Sequence, residues 1–317
     1  MKFRTELDIA PYDWQIDHTT RIFSIGSCFA DNVAARLSGG GFRVEANPLG
    51  VMFNPASVAA TIERLASGKP FCESDFCTDG ARHFCYSLHG SFSSTSLAES
   101  LTKANRALVV GAEALASADL VIITLGTAWI YEREGRVVAN CHKQPAAQFT
   151  RRKLSVAEVV EQFAPLMSGV LRGKRILFTV SPVRHLKDGF AENSLSKATL
   201  RVAIDELCRR YPDSCHYFPA YELLNDDLRD YRYYADDMVH PSSVAVEYVW
   251  RKFAAATMDA ETLDGVAAAE RYGRMVAHRI TDPTSPDTLR FLEHRYQERE
   301  KLLLRWPGMS LPSDEEK

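Results

Sequence analysis

The segment that most restricts the fold is DLVIITLGT, residues 119–127. From Leu120 to Leu125 every side chain is apolar or β-branched, and no polar position alternates with them. A strand of that kind is buried on both faces, as in a parallel sheet with helices above and below. TRIFSIG (20–26) and KRILFTVSPV (174–183) are further runs of the same type, and FRVEAN (42–47) and CHYFPA (215–220) read as shorter strands.

Helical patterns lie between the strands. FADNVAARL follows the first and is stopped by Gly39, Gly40 and Gly41. ASVAATIERLASG begins behind Asn54-Pro55, a capping residue and a first-turn proline. SLTKANRALVVGAEALASA, SVAEVVEQFAPLMSGVLRG, NSLSKATLRVAIDELCRRYP and SSVAVEYVWRKFAAATM are also helical. Strict alternation predicts a parallel sheet of about five strands with helices on both faces. AWIYEREGRVVANCHK interrupts it as a hairpin turning at Glu134-Gly135. The division expected is a lead-in over 1–19, an α/β domain over 20–256, a C-terminal helical extension over 257–306 and a disordered tail over 307–317. Residues 68–100, rich in aromatic residues, Ser and Cys, form an insertion, a lid or a small β excursion. Ser285-Pro286 opens a charged helix whose Leu289, Leu292, Tyr296 and Leu303 share a face, for packing on the domain or for a homo-oligomer contact.

Composition narrows the function. A net charge of -3 and no basic block argue against nucleic acid. No apolar run reaches the length of a bilayer span, and the acid- and proline-bearing start lacks a signal-peptide core, so no membrane association and a cytoplasmic location are expected. The seven cysteines are odd in number and irregularly spaced, which fits free thiols. Cys208 and Cys215 read as packing residues. Cys72, Cys77, His83 and Cys85 lack the paired knuckle of a structural zinc site, and no metal is expected.

In a parallel α/β sheet the loops at the carboxyl ends of the strands gather on one edge, where ligands bind. Here these are residues 26–28, 47–54, 125–129, 181–187 and 219–240. Gly26-Ser27-Cys28 places two nucleophile-capable side chains where a strand meets a helix N-terminus. The helix dipole lowers a thiol pKa there, whereas a hydroxyl needs a base. In YADDMVHP, Asp237 and His240 stand three apart before a helix, a spacing that lets a carboxylate orient an imidazole.

The string GSCFA at residues 26–30 resembles the name-giving motif of the GSCFA domain family. NPLGVMFNPAS, LGTAWIY, NCHK, TVSPVRHLKDGFAENSLSK and YFPAYELLNDDLRDYRYYADDMVHP resemble its other characteristic segments, over roughly residues 20 to 255. That family looks related to the SGNH/GDSL hydrolases, which implies a flavodoxin-like three-layer sandwich and acyl chemistry. In that pattern Cys28 takes the place of the serine nucleophile, Ser27 that of the preceding Asp, and Asp237 and His240 complete a triad. Gly50 falls where an oxyanion-hole glycine stands. Ala128 falls where an oxyanion Asn is expected, leaving Thr127, Asn140 or His142 as substitutes. The implied enzyme is an acyltransferase or esterase working through a covalent acyl intermediate, with a carbohydrate or a small molecule as the candidate acceptor. It needs no cofactor, and acyl-CoA is a candidate acyl donor. The alternatives are a serine esterase using Ser27 and a non-catalytic binding protein. Asn47, Asn54, Trp129, Asn140, His142, Lys143, Arg184, His185 and Asn193 sit on the loops expected to line the substrate. Arg184 would hold an anion or pair with Asp188 or Glu192. Lys197 is expected on the solvated face of its helix.

Overall fold

The computed structural model describes residues 4–312. Strand β1 (Arg21–Gly26) runs into helix α1 (Cys28–Gly39), and β2 (Arg43–Ala46) leads to α2 (Pro55–Ser67). The insertion holds two short antiparallel strands, β3 (Cys77–Thr78) and β4 (His83–Phe84). Helix α3 (Leu97–Ser117) returns the chain to β5 (Leu120–Leu125). The hairpin is β6 (Trp129–Arg133) and β7 (Arg136–Val138), with φ of 52° at Glu134 and 73° at Gly135. Two successive left-handed residues match the twist of a two-residue hairpin turn. A third strand, β8 (Thr150–Lys153), pairs with β6; its sequence, TRRK, has no apolar alternation to announce it. Then come α4 (Val156–Ser168), β9 (Arg175–Val180), α5 (Gly189–Arg210) and β10 (Cys215–Phe218). A helical turn, α6 (Ala220–Glu222), widens into a π-turn over Leu223–Leu228, and α7 (Ser243–Thr257), α8 (Ala260–Ala277) and α9 (Pro286–Arg305) follow.

The five long-range strands form one parallel sheet in the order β2-β1-β5-β9-β10. Side-chain alternation divides the core in two. Phe23, Ile25, Val121, Ile123, Ile176 and Phe178 face one way, onto Ile62, Leu108, Phe163 and Ile204 of α2–α5. Ile22, Leu120, Ile122 and Leu177 face the other, onto Phe29, Val33, Val249 and Phe253 of α1 and α7. Each fully buried large side chain contributes about 1.5–3 kcal/mol of transfer free energy. The outcome is the expected three-layer sandwich.

Beyond the sheet, Trp306 and Met309 are buried against Ala268 and Ala269 of α8, and Ser310 donates its N–H to Gly41 O at 2.7 Å. Residues 307–312 are therefore docked, contrary to the expected tail; 313–317 lie outside the described residues. In α9 the expected apolar face is packed only in part: Leu303 joins the Trp306 cluster and Leu292 is half-buried, whereas Leu289 and Tyr296 are exposed and Arg295 is buried. No helix among the described residues is long and apolar enough to cross a membrane.

Candidate active site

Cys28 is the first residue of α1, and Ser27 is its N-cap. Ser27 is buried, its hydroxyl accepts the Phe29 N–H at 3.3 Å, and its own N–H goes to Thr124 O at 3.0 Å. That side chain is spent on the cap, whereas Cys28 stays partly exposed. The turn requires glycine at 26: φ is 145°, and a Cβ there would sit 2.1 Å from Thr124 O. Asn47 braces the turn rather than meeting a ligand. Its Oδ1 accepts the Gly26 N–H at 2.8 Å and its Nδ2 donates to Asp31 Oδ1 at 2.6 Å, linking β1 to the first turn of α1. Asn54 is likewise structural, capping α2 by accepting the Ser57 N–H at 2.9 Å.

The helix N-terminus alone does not activate the thiol. Burial pushes the Cys28 pKa up, and the Asp31 charge adds to that. The Cys28 and Phe29 N–H groups and the charge of Lys197 pull the other way without prevailing. The expected lowering is thus overturned by desolvation.

Lys197 is the largest departure from the sequence reading. It is 2% exposed, not solvated. Its Nζ donates to Gly126 O at 2.6 Å and Ser181 O at 2.7 Å, the residues that follow β5 and β9. No carboxylate among the described residues lies within ion-pair distance of it, and burial draws its pKa down to about 7. The nearby group that favours its charge is Cys28. The signal was present in the sequence: Asn193, Ser196, Lys197, Leu200, Ile204 and Leu207 share the buried stripe of α5.

His240 Nδ1 and Asp237 Oδ2 are 2.6 Å apart. Asp237 Oδ1 also accepts the Val239 and His240 N–H groups, each at 2.9 Å. These backbone bonds, with the imidazole, hold the Asp237 pKa down to about 2. Both side chains are about half exposed. No hydrogen bond joins His240 to Cys28 among the described residues. Cys28 and Val239 do pack on one apolar cluster, with Val183.

The loop after β9 faces the same edge. His185 gives its N–H to Asn193 Oδ1 at 2.9 Å, so Asn193 anchors the loop. His185 Nε2 is buried without a partner and lies 3.1 Å from where a Gly126 Cβ would stand. Burial, then the charges of Lys197, His240 and Arg151, hold its pKa down to about 3, so the ring is neutral. Arg184 pairs with neither expected acid: Asp188 bonds Arg151, and Glu192 lies 2.9 Å from Lys153.

The other expected site residues are engaged elsewhere. Gly50 donates its N–H to Asn47 O at 2.7 Å and packs against His89, so it offers no free donor. The Thr127 hydroxyl bonds Ser196 Oγ at 3.0 Å and accepts the Trp129 N–H at 3.1 Å. Trp129 is stacked beneath the Arg151 guanidinium at 4.4 Å. Asn140 accepts the His142 N–H at 2.8 Å, and His142 Nε2 is 2.8 Å from Cys85 O with its ring against Phe84. Lys143 continues that turn with a φ of 58°. This group fastens the insertion to the hairpin. No set of three His, Cys, Asp or Glu side chains among the described residues is placed to hold a metal ion.

The family model described as the GSCFA family matches residues 21–253, the whole of the sheet with α1 to most of α7. The chain belongs to the GSCFA family. No curated protein matches it. Within this GSCFA protein, the motif is a strand end, a helix cap and a half-buried thiol held in one tight turn.

Proposed function

We propose that this GSCFA protein is an acyl-transfer enzyme, an acyltransferase or esterase related in mechanism to SGNH hydrolases, with Cys28 as nucleophile. The observation that carries the reading is the convergence on one sheet edge of an accessible thiol at a helix N-terminus, a buried lysine that favours its charge, and an imidazole oriented by Asp237. In the first step the Cys28 sulfur forms a bond to the acyl carbon as its proton passes to His240 Nε2. The bond to the leaving oxygen then breaks, and His240 returns the proton to it. In the second step an acceptor hydroxyl or water gives its proton to His240, attacks the thioester and releases the thiolate, which is reprotonated. His240 must close on Cys28 when substrate seats, since catalytic hydrogen bonds often tighten only in the complex.

Lys197, buried and near enough for its charge to act on Cys28, stabilises the thiolate where burial weakens screening. The Cys28 N–H and His185 Nε2 are the donors suited to the developing oxyanion, a neutral imidazole serving where the related enzymes use Asn. Intact-protein mass after incubation with activated esters or acyl-CoA tests the reading. A single acyl adduct is expected, absent in Cys28→Ala; an adduct that survives in Cys28→Ala refutes it. The missing Cys28–His240 bond favours a second reading, a binding protein on the same fold. A Cys28 that alkylates no faster than the exposed Cys72 would support that one.

A further inference from the structure

Arg184 stands out among the groups at this edge. Its guanidinium lies over the Tyr234 ring at 3.9 Å, with the Tyr231 and Phe190 rings at 5.0 and 5.6 Å. Among the described residues its side chain bonds Met238 O, 3.4 Å from Nη1, and the Tyr234 hydroxyl, fewer partners than the five N–H groups a guanidinium offers. No carboxylate among the described residues lies within ion-pair distance of it, and several nearby acids are paired elsewhere. Asp188 is held by Arg151, Glu192 by Lys153, Asp230 by Arg232, and Asp237 by His240 and two backbone amides. Lys187, three residues on, also makes no ion pair among the described residues and bonds the Tyr131 hydroxyl.

The position is as informative as the missing partner. The Arg184 N–H bonds Val239 O at 3.2 Å, so this residue is fastened to the turn between Asp237 and His240. Next to it, His185 holds an unpartnered Nε2 toward Gly126. Phe190 and Tyr231, each 58% exposed, flank the guanidinium. Aromatic stacking fixes a guanidinium in place and leaves its edge N–H groups free for a bidentate oxyanion. An arginine held by three rings, beside the imidazole and with no acid to satisfy it, is arranged for a charge that the protein itself does not supply.

We propose that Arg184 anchors an oxyanion, a carboxylate or a phosphate, on the substrate that meets Cys28. The substrate class is therefore an anionic acyl donor or acceptor, with Phe190 and Tyr231 covering the part of the molecule next to that charge. The proposal rests on Cys28 being the reactive atom of the site.

The test uses the full chain and affinity alkylation of Cys28, followed by peptide mass. The reagents are iodoacetyl derivatives of glycine, β-alanine and 4-aminobutyrate, each against its neutral methylamide, with iodoacetyl-aminoethyl phosphate as the phosphate arm. One anionic length should alkylate Cys28 about tenfold faster than its neutral partner, relative to the same ratio at Cys72. The preference should disappear in Arg184→Met, persist in part in Arg184→Lys, and shrink as salt rises from 0.05 to 0.5 M, about a threefold change in screening length. The neutral reagents should react equally with wild type and Arg184→Met, and a cooperative melt of the variant shows that it folds. No anionic preference in the wild type, or one that Arg184→Met retains, overturns the proposal. Anionic preference without acyl adducts from any ester would instead overturn acyl transfer and leave the anion site standing.

Discussion

Replacing Lys197 by Met removes a charge while keeping most of the length of the side chain. In the native protein this amine titrates at about 7, against an ordinary 10.5. Below pH 7 both native and unfolded chains bind the proton, and the native state bears the full cost of a buried ammonium without a carboxylate. Between the two values the unfolded chain is protonated and the native one increasingly is not, so stability rises with pH, approaching ~1.4 kcal/mol per pH unit. From pH 6 to pH 9 the gain is ~3 kcal/mol. The Met variant lacks it. It also leaves Gly126 O and Ser181 O without the donor, an offset of about 1–3 kcal/mol for each that does not vary with pH. Urea unfolding of both proteins at pH 6, 7, 8 and 9, in reductant, separates the two contributions. Wild type should gain on the variant steadily across the series. A difference that stays flat would mean Lys197 keeps ordinary basicity. One that falls with pH would mean the ammonium is net stabilised, as in a standing ion pair with a Cys28 thiolate.

Other consequences are as direct. Ser27→Ala should retain the Cys28 acyl adduct and lose only about 1 kcal/mol of stability, the worth of an N-cap, read by mass and by melting; losing the adduct would return Ser27 to the chemistry. Gly26→Ala should cost at least ~3 kcal/mol or abolish folding, since its Cβ would meet Thr124 O at 2.1 Å, whereas Gly39→Ala, with nothing within 4 Å, should be no less stable. Asp237 loses its proton at about 2, so its bond to His240 is present above that value and is lost only as pH falls through it. A pH profile of ester turnover should thus show no limb from Asp237 above pH 4, and Asp237→Asn should lower the rate throughout pH 4–8.

The fold was readable because its determinants are local. The unbroken apolar run of β5 permits only a doubly covered strand, and Asn54-Pro55, Ser285-Pro286 and Glu134-Gly135 mark boundaries by backbone chemistry alone. β8 was not readable, because an edge strand of Thr and basic residues carries no apolar period. At the site, Asp237 and His240 were legible through their spacing, since an i, i+3 contact needs no tertiary knowledge. The state of the Cys28 thiol was not. A helix N-terminus lowers a pKa and burial raises it, and only the packing of Phe29, Val33 and the sheet decides which prevails. Asn47, Thr127 and Asn140 have the right chemistry for ligand contacts, and only their actual partners assign them to the scaffold.

The raised thiol pKa changes what the rest of the site must do. A thiolate made by the helix alone would need no base, and the Asp237–His240 pair would be left without a task on the nucleophile. A protonated Cys28 needs both a proton acceptor and a stabiliser for the charge that appears when the proton leaves. His240 is suited to the first because it is half exposed, oriented by Asp237 and, among the described residues, without a hydrogen bond at Nε2, able to carry a proton between sulfur, leaving group and acceptor. Lys197 is suited to the second because it is buried and fixed by two carbonyls, with no counter-ion until the sulfur ionises. The two roles require opposite environments, one wet and one dry, and the two side chains have them: His240 is about half exposed and Lys197 is buried. Exchanging the environments rather than the residues is therefore the sharper probe. Phe29→Ser, which admits water beneath α1, should lower the thiol pKa seen in iodoacetamide pH–rate profiles while slowing acylation. If instead acylation accelerates along with the thiolate fraction, ionisation of Cys28 is the only barrier, and Lys197 has no part in the transition state.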